Sequence, residues 1–186
     1  LLREISILMA YEITRDMPPG HFTASFLESS ASLDTGDDWR AALREARRQG
    51  AFVFWNHPGW TGQQPDGIAR WYPEHTELLE AGLFQGIEVV NERDYYPEVH
   101  RWALEKKLTM LADSDIHAPV NLDYEVRQGD HRPMTLIFAK DASPSAIREA
   151  LLARRTAAWS GRMLVGEEQY LKPIFSQSVV MLNPSI

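Results

Sequence analysis

The sequence predicts an α/β fold, a parallel sheet covered by helices, from two observations. Apolar runs of strand length alternate with helical stripes at the spacing of βαβ units, and few hairpin signals interrupt them. Residues of metal-ligand type also fall just after several strands: Glu12, His57, Asn91 and the pair Asp115 and His117. In a (β/α) barrel the carboxyl ends of the strands converge on one face, where sites are built. Ligands at separate strand ends therefore point to one shared site.

The bulk numbers allow that fold. A chain of 186 residues, 44% hydrophobic and 24% charged, suits one globular domain with a real core. Its net charge of −7 argues against a broad phosphate-tracking surface, so no nucleic acid is expected as a partner. With no cysteine, disulfides, thiolate zinc sites and cysteine nucleophiles are excluded, and a metal site must be built from His, Asp and Glu. No run is long and apolar enough to span a bilayer, and no signal peptide is visible, so no membrane partner is expected. Oligomeric state and compartment are not legible. The chain opens on Leu1 and closes on SVVMLNPSI, and both ends read as cut.

Taken in order, the run Ile5–Tyr11 reads as a buried strand, although Leu1–Leu8 also fits a helix stripe, and Glu12 follows it. MPPGHF is a turn with His21 at its exit, and Phe22–Leu27 a further strand. Glu12 and His21 are each as readily surface residues as ligands. In DDWRAALREARRQG, Asp37 can cap a helix whose inner face is Trp39, Ala42, Leu43 and Ala46, and Gly50 stops it. AFVFW is a buried strand ended by NHPGW, which sets His57 at its carboxyl end. A helix over Pro73–Ala81 contains His75, structural or exposed, and GIEVV at Gly86–Val90 is a strand with Asn91 at its end. Pro97–Lys107 is a helix with His100 on its surface. The strand Leu108–Ala112 then runs into Asp113, Asp115 and His117. In extended backbone, side chains two apart share a face, so Asp115 and His117 can meet one cation or two neighbouring ones. After a loop carrying His131 and Arg132 come a strand at Met134–Ala139, a helix from Ser143-Pro144 to Arg155 and a strand at Thr156–Trp159. Gly161–Gly166 reads as loop, Glu167–Phe175 as helix and Ser178–Leu182 as a last strand.

Glu12, His21 in GHF, His57 in NHPG and Asp115 and His117 in SDIH resemble the later metal-binding motifs of the PHP (polymerase and histidinol phosphatase) family. The resemblance implies a distorted (β/α)7, TIM-like barrel over residues 1–175; residues 176–186 read from their own pattern as a C-terminal strand that starts a further segment. It also implies about two or three divalent transition-metal ions, Mn, Zn or Fe. Glu12 would bridge two of them, His21 and His57 would bind one, Asp115 the other, and His117 would help to hold a third. The family's first motif, an N-terminal His-x-His, has no counterpart here and is expected upstream of Leu1.

The implied chemistry is hydrolysis of a small phosphate ester by metal-activated water, since no Gly-x-Ser-x-Gly or P-loop offers another route. Glu12, Asp115 and His117 would carry it, with His117 or His21 protonating the leaving alkoxide. Arg15, Asn91, His131 and Arg132 are candidates to contact substrate, the two arginines and His131 reading equally as ion-pair or surface residues. Trp55, Trp60, Trp71, Tyr95 and Tyr96 flank the predicted strand-end loops, mostly as packing, with a minority lining a pocket for an apolar ester group. A phosphodiester is favoured. The alternatives are a phosphomonoesterase of the histidinol phosphatase kind, a nuclease or proofreading module, which would need a basic groove the net charge does not suggest, and a non-catalytic barrel acting as an interaction module.

Overall fold

The computed structural model describes residues 7–178. Strand β1 (Ala10–Ile13) lies antiparallel to β2 (Phe22–Ser25), which lies antiparallel to β3 (Phe52–Trp55). Between β2 and β3 runs helix α1 (Trp39–Arg48), and α2 (Pro73–Glu80) carries the chain over to β4 (Gly86–Asn91). The short β5 (Asp94–Tyr95) folds back on β4, and α3 (Pro97–Lys106) leads to β6 (Thr109–Asp113). Strands β3, β4 and β6 are parallel, with Trp55 opposite Ile87 and Asn91 opposite Asp113. After α4 (Val120–Asp123), β7 (Met134–Ile137), α5 (Pro144–Leu152), β8 (Thr156–Ser160), β9 (Met163–Gly166) and α6 (Glu168–Ser178) complete the described chain.

The expected (β/α)7 barrel is not what the described residues form. They make a mixed six-stranded sheet and a separate antiparallel sheet in the order β7-β8-β9. Helical crossovers join parallel neighbours only at α2 and α3; β2 and β3, and β7 and β8, are antiparallel with α1 and α5 between them, while β1 and β2, and β8 and β9, turn back directly, as antiparallel pairing permits. The loop expected over Gly161–Gly166 is one such reversal, a hairpin that pairs Ser160 with Met163 and makes Met163–Gly166 a strand. The strand expected at Ser178–Leu182 lies outside the described residues, apart from Ser178, which ends α6.

Threonine hydroxyls join the two sheets where no ladder does. Thr135 Oγ1 accepts from Ala112 N at 2.9 Å and donates to Ala112 O at 3.0 Å, while Thr156 Oγ1 donates to Met110 O at 2.8 Å. These bonds satisfy backbone groups on the open edge of β6 that burial would otherwise leave costly.

Local chemistry explains the helices. Asp38, not Asp37, caps α1 by accepting from Ala41 N, and the helix buries Ala42, Leu43 and Ala46 as the apolar spacing requires. Ser143 caps α5 ahead of Pro144, as expected. No helix among the described residues is long and apolar enough to cross a membrane.

His75, in the first turn of α2, is a core residue. It is fully buried and stacked on Trp55 with ring centroids 3.7 Å apart. Its Nδ1 accepts from Tyr72 N at 3.0 Å and its Nε2–H donates to the Pro19 carbonyl at 2.8 Å, so both nitrogens are satisfied only by the neutral ring. The Pro19 bond ties α2 to the turn from which His21 emerges, where Gly20 at φ +84° makes the reversal. Burial pushes the His75 pKa down to about 4, against 6.5 for the ordinary side chain. The unfolded chain therefore binds the proton more readily, and stability is lost as pH falls from 6.5 to 4. That loss is expected to reach about 3 kcal/mol. Urea unfolding at pH 7 and pH 4 checks it: His75→Gln should flatten the dependence, and an equal acid sensitivity in the variant would assign it elsewhere.

Candidate metal centre

The strand register builds the site. Because Phe22 pairs with Trp55 and Ile13 with Phe22, the end of β1, the start of β2 and the end of β3 share one edge of the sheet. Glu12 lies inside β1 rather than after it, opposite Thr23. His21 precedes β2, His57 follows β3, and Asn56 N donates to His21 O at 2.9 Å, locking the two segments together. The parallel strands β4 and β6 end at Asn91 and Asp113 on the same side.

Glu12, His21 and His57 present donor atoms that all lie within 4.8 Å of one another. The Glu12 carboxylate meets His21 Nδ1 at 2.8 Å, and that hydrogen bond holds the Glu12 pKa below its ordinary value despite partial burial. The two imidazoles stand edge to face at 4.9 Å. Burial, with repulsion from His21, lowers the His57 pKa, which keeps His57 neutral, the form that binds a cation. Its Nδ1 is buried and finds no hydrogen-bond partner among the described residues. An ionised carboxylate, two imidazoles and an orphaned ring nitrogen fit a divalent transition metal. Gln63 supports the set from behind, its Nε2 donating to Arg15 O at 2.8 Å and lying 3.2 Å from His21 Nε2.

Two buried carboxyls, Glu88 and Asp113, lie next to the site. Glu88 projects from the middle of β4 and accepts from His57 N at 2.7 Å and from Asn91 Nδ2 at 2.9 Å. Burial, then repulsion from Asp113, raises the Glu88 pKa well above the carboxylate range. Burial likewise pushes Asp113 up to about 6, opposed by its hydrogen bond with Glu88. The bond to His57 N also holds that residue at φ +28°, a backbone conformation that side chains disfavour and that functional sites often retain.

Asp115 extends the group, its Oδ2 4.0 Å from His57 Nε2. Its φ of +45° ends the extended backbone, so the two-residue alternation expected to align Asp115 with His117 does not hold. His117 is exposed on the rim of a cleft of about 620 Å³ that Asp115, Arg93 and Tyr124 also line. Asn91 is buried and committed to Glu88, and the Arg15 guanidinium bonds the carbonyls of Thr14 and Gly36 in its own neighbourhood. His131 packs on Trp159 at 4.2 Å with its nitrogens toward the carbonyls of Arg132 and Gly161; Arg132 is exposed, and its charge acts on Asp113.

Sequence reasoning missed Glu88, Gln63 and the anchoring role of His75. Glu88 had a signal: an acid in the middle of the apolar strand GIEVV is costly unless its burial serves a purpose. Gln63 sits in a polar loop where nothing local sets it apart.

The fold and the donor set define an α/β domain with a candidate metal centre at its strand-end edge. No protein-family model and no curated protein matches the chain. Among solved structures it is similar to a two-domain protein from Bacteroides vulgatus ATCC 8482 containing a predicted PHP-like metal-dependent phosphoesterase, at 50% identity and a TM-score of 0.90. The match covers 96% of this chain and 52% of that one, so the chain spans about half the length of its neighbour. The chain belongs to the PHP family.

Proposed function

We propose that the chain hydrolyses phosphate esters of small organic molecules, with about two or three divalent ions of the Mn, Zn or Fe kind held at the strand-end site. The observation that carries this reading is the convergence of Glu12, His21 and His57 within 4.8 Å. Glu12, His21 and His57 would hold a divalent ion, and Asp115 would extend the ligand set past His57. Bound ions of this type supply an activated water and neutralise charge on phosphoryl oxygens. Glu88 and Asn91 fix the backbone that presents His57, Gln63 orients His21, and His117 on the cleft rim is the group that passes a proton to the leaving oxygen. The cleft of about 620 Å³ has room for more than a phosphoryl group, which supports a phosphodiester with an organic substituent.

The test is elemental analysis of the full-length protein, followed by turnover of diesters and monoesters after loading with Mn²⁺, Zn²⁺ or Fe²⁺. Bound metal with diester turnover exceeding monoester turnover is the expected result. The reverse preference would assign a phosphomonoesterase, and a folded, metal-loaded protein without turnover would overturn hydrolysis in favour of an interaction module.

A further inference from the structure

Trp60 is the one exposed tryptophan of six, 42% accessible, although an indole is among the side chains that gain most from burial. It closes the turn that begins at His57, its backbone N–H donating to the His57 carbonyl at 2.9 Å. Its ring stands 5.3 Å from the His57 imidazole and 5.8 Å from that of His21, centroid to centroid. The indole is also held in place: it lies so close over Gly62 that a Cβ there would meet ring carbons at 2.5 to 2.7 Å. A large aromatic surface is thus seated on backbone, kept beside both candidate ligand imidazoles and left accessible to solvent.

We infer that Trp60 is a stacking platform for a planar aromatic or heteroaromatic group of the substrate, and so sets a preference for aryl or nucleobase-type phosphate esters over alkyl ones. The inference rests on the phosphoesterase reading and deepens it. A ring stacked on Trp60 lies beside the donor group where the phosphoryl would be bound. The ring's π face accepts any flat aromatic partner, so it selects a class of substituent without reading its hydrogen bonds.

The experiment uses two ligands that cannot be hydrolysed, phenylphosphonate and methylphosphonate, so that leaving-group reactivity plays no part. Their dissociation constants are measured on Mn²⁺-loaded full-length wild type, Trp60→Ala, Trp60→Phe and Gly62→Ala. Wild type is expected to bind phenylphosphonate about tenfold or more tighter than methylphosphonate, and Trp60→Ala to abolish that ratio while shifting methylphosphonate by less than about twofold. Trp60→Phe should restore much of the ratio, and Gly62→Ala, by displacing the indole, should reduce it. An unchanged ratio in Trp60→Ala, with methylphosphonate still bound, overturns the inference alone. Failure of either phosphonate to bind the metal-loaded wild type overturns the phosphoesterase reading and this inference together.

Discussion

His57→Ala is expected to lower phosphoester turnover by at least about 10²–10³-fold and to reduce the metal content of the purified protein. One of the ring nitrogens of His57 lies within 4.8 Å of the donor atoms of Glu12 and His21, and its Nε2 stands 4.0 Å from Asp115 Oδ2. Its Nδ1 has no hydrogen-bond partner among the described residues that removal would strand, so the loss falls on cation binding rather than on a structural bond. The backbone bond from His57 N to Glu88 survives the substitution, which keeps the turn in place. Metal content, kcat/KM and a thermal melt on the same preparation separate the outcomes. A folded variant that retains metal and near wild-type turnover would remove His57 from the ligand set.

Glu88→Leu is expected to destabilise the metal-free protein by about 3–5 kcal/mol, whereas Glu88→Gln should cost less than about 1 kcal/mol. Leucine leaves two buried donors, His57 N and Asn91 Nδ2, without their acceptor, and strands Asp113 beside an apolar group. Glutamine keeps an oxygen for both donors and, like a protonated Glu88, carries no charge. The contrast follows from the raised pKa of Glu88, which makes the native residue a neutral acid that an amide can imitate. Urea unfolding in EDTA at pH 7 measures both, and equal damage from the two variants would mean that Glu88 is ionised in the fold. The sign of the pH effect here is opposite to that of His75. Asp113 holds its proton to about pH 6 instead of 3.8, so its burial costs stability as pH rises through that window.

The sequence by itself determined the five longer helices and most strands, because their signals are local, whereas the short α4 lies in a stretch read as loop. An aspartate before Trp39, Asp38 rather than the expected Asp37, Ser143 before Pro144, and the stripe Ala42, Leu43 and Ala46 each act within a turn or two of chain. It also brought out Glu12, His21 and His57 as ligand candidates, through their motifs and their places near strands. Strand direction was not legible, since an alternation of strands and helices reads alike whether a connection crosses over or turns back. The pairing of Ser160 with Met163 and of β1 with β2 replaced the expected barrel with two sheets. Only the tertiary structure decided which candidates meet. Register brings Glu12 beside His21 and His57, while the left-handed backbone at Asp115 leaves His117 on the rim of the cleft. The supports of the site, Glu88 under His57, Gln63 behind His21 and His75 against Pro19, act across 31, 42 and 56 residues of chain. Contacts over such separations depend on how strands pack, and no local pattern in the chain encodes them.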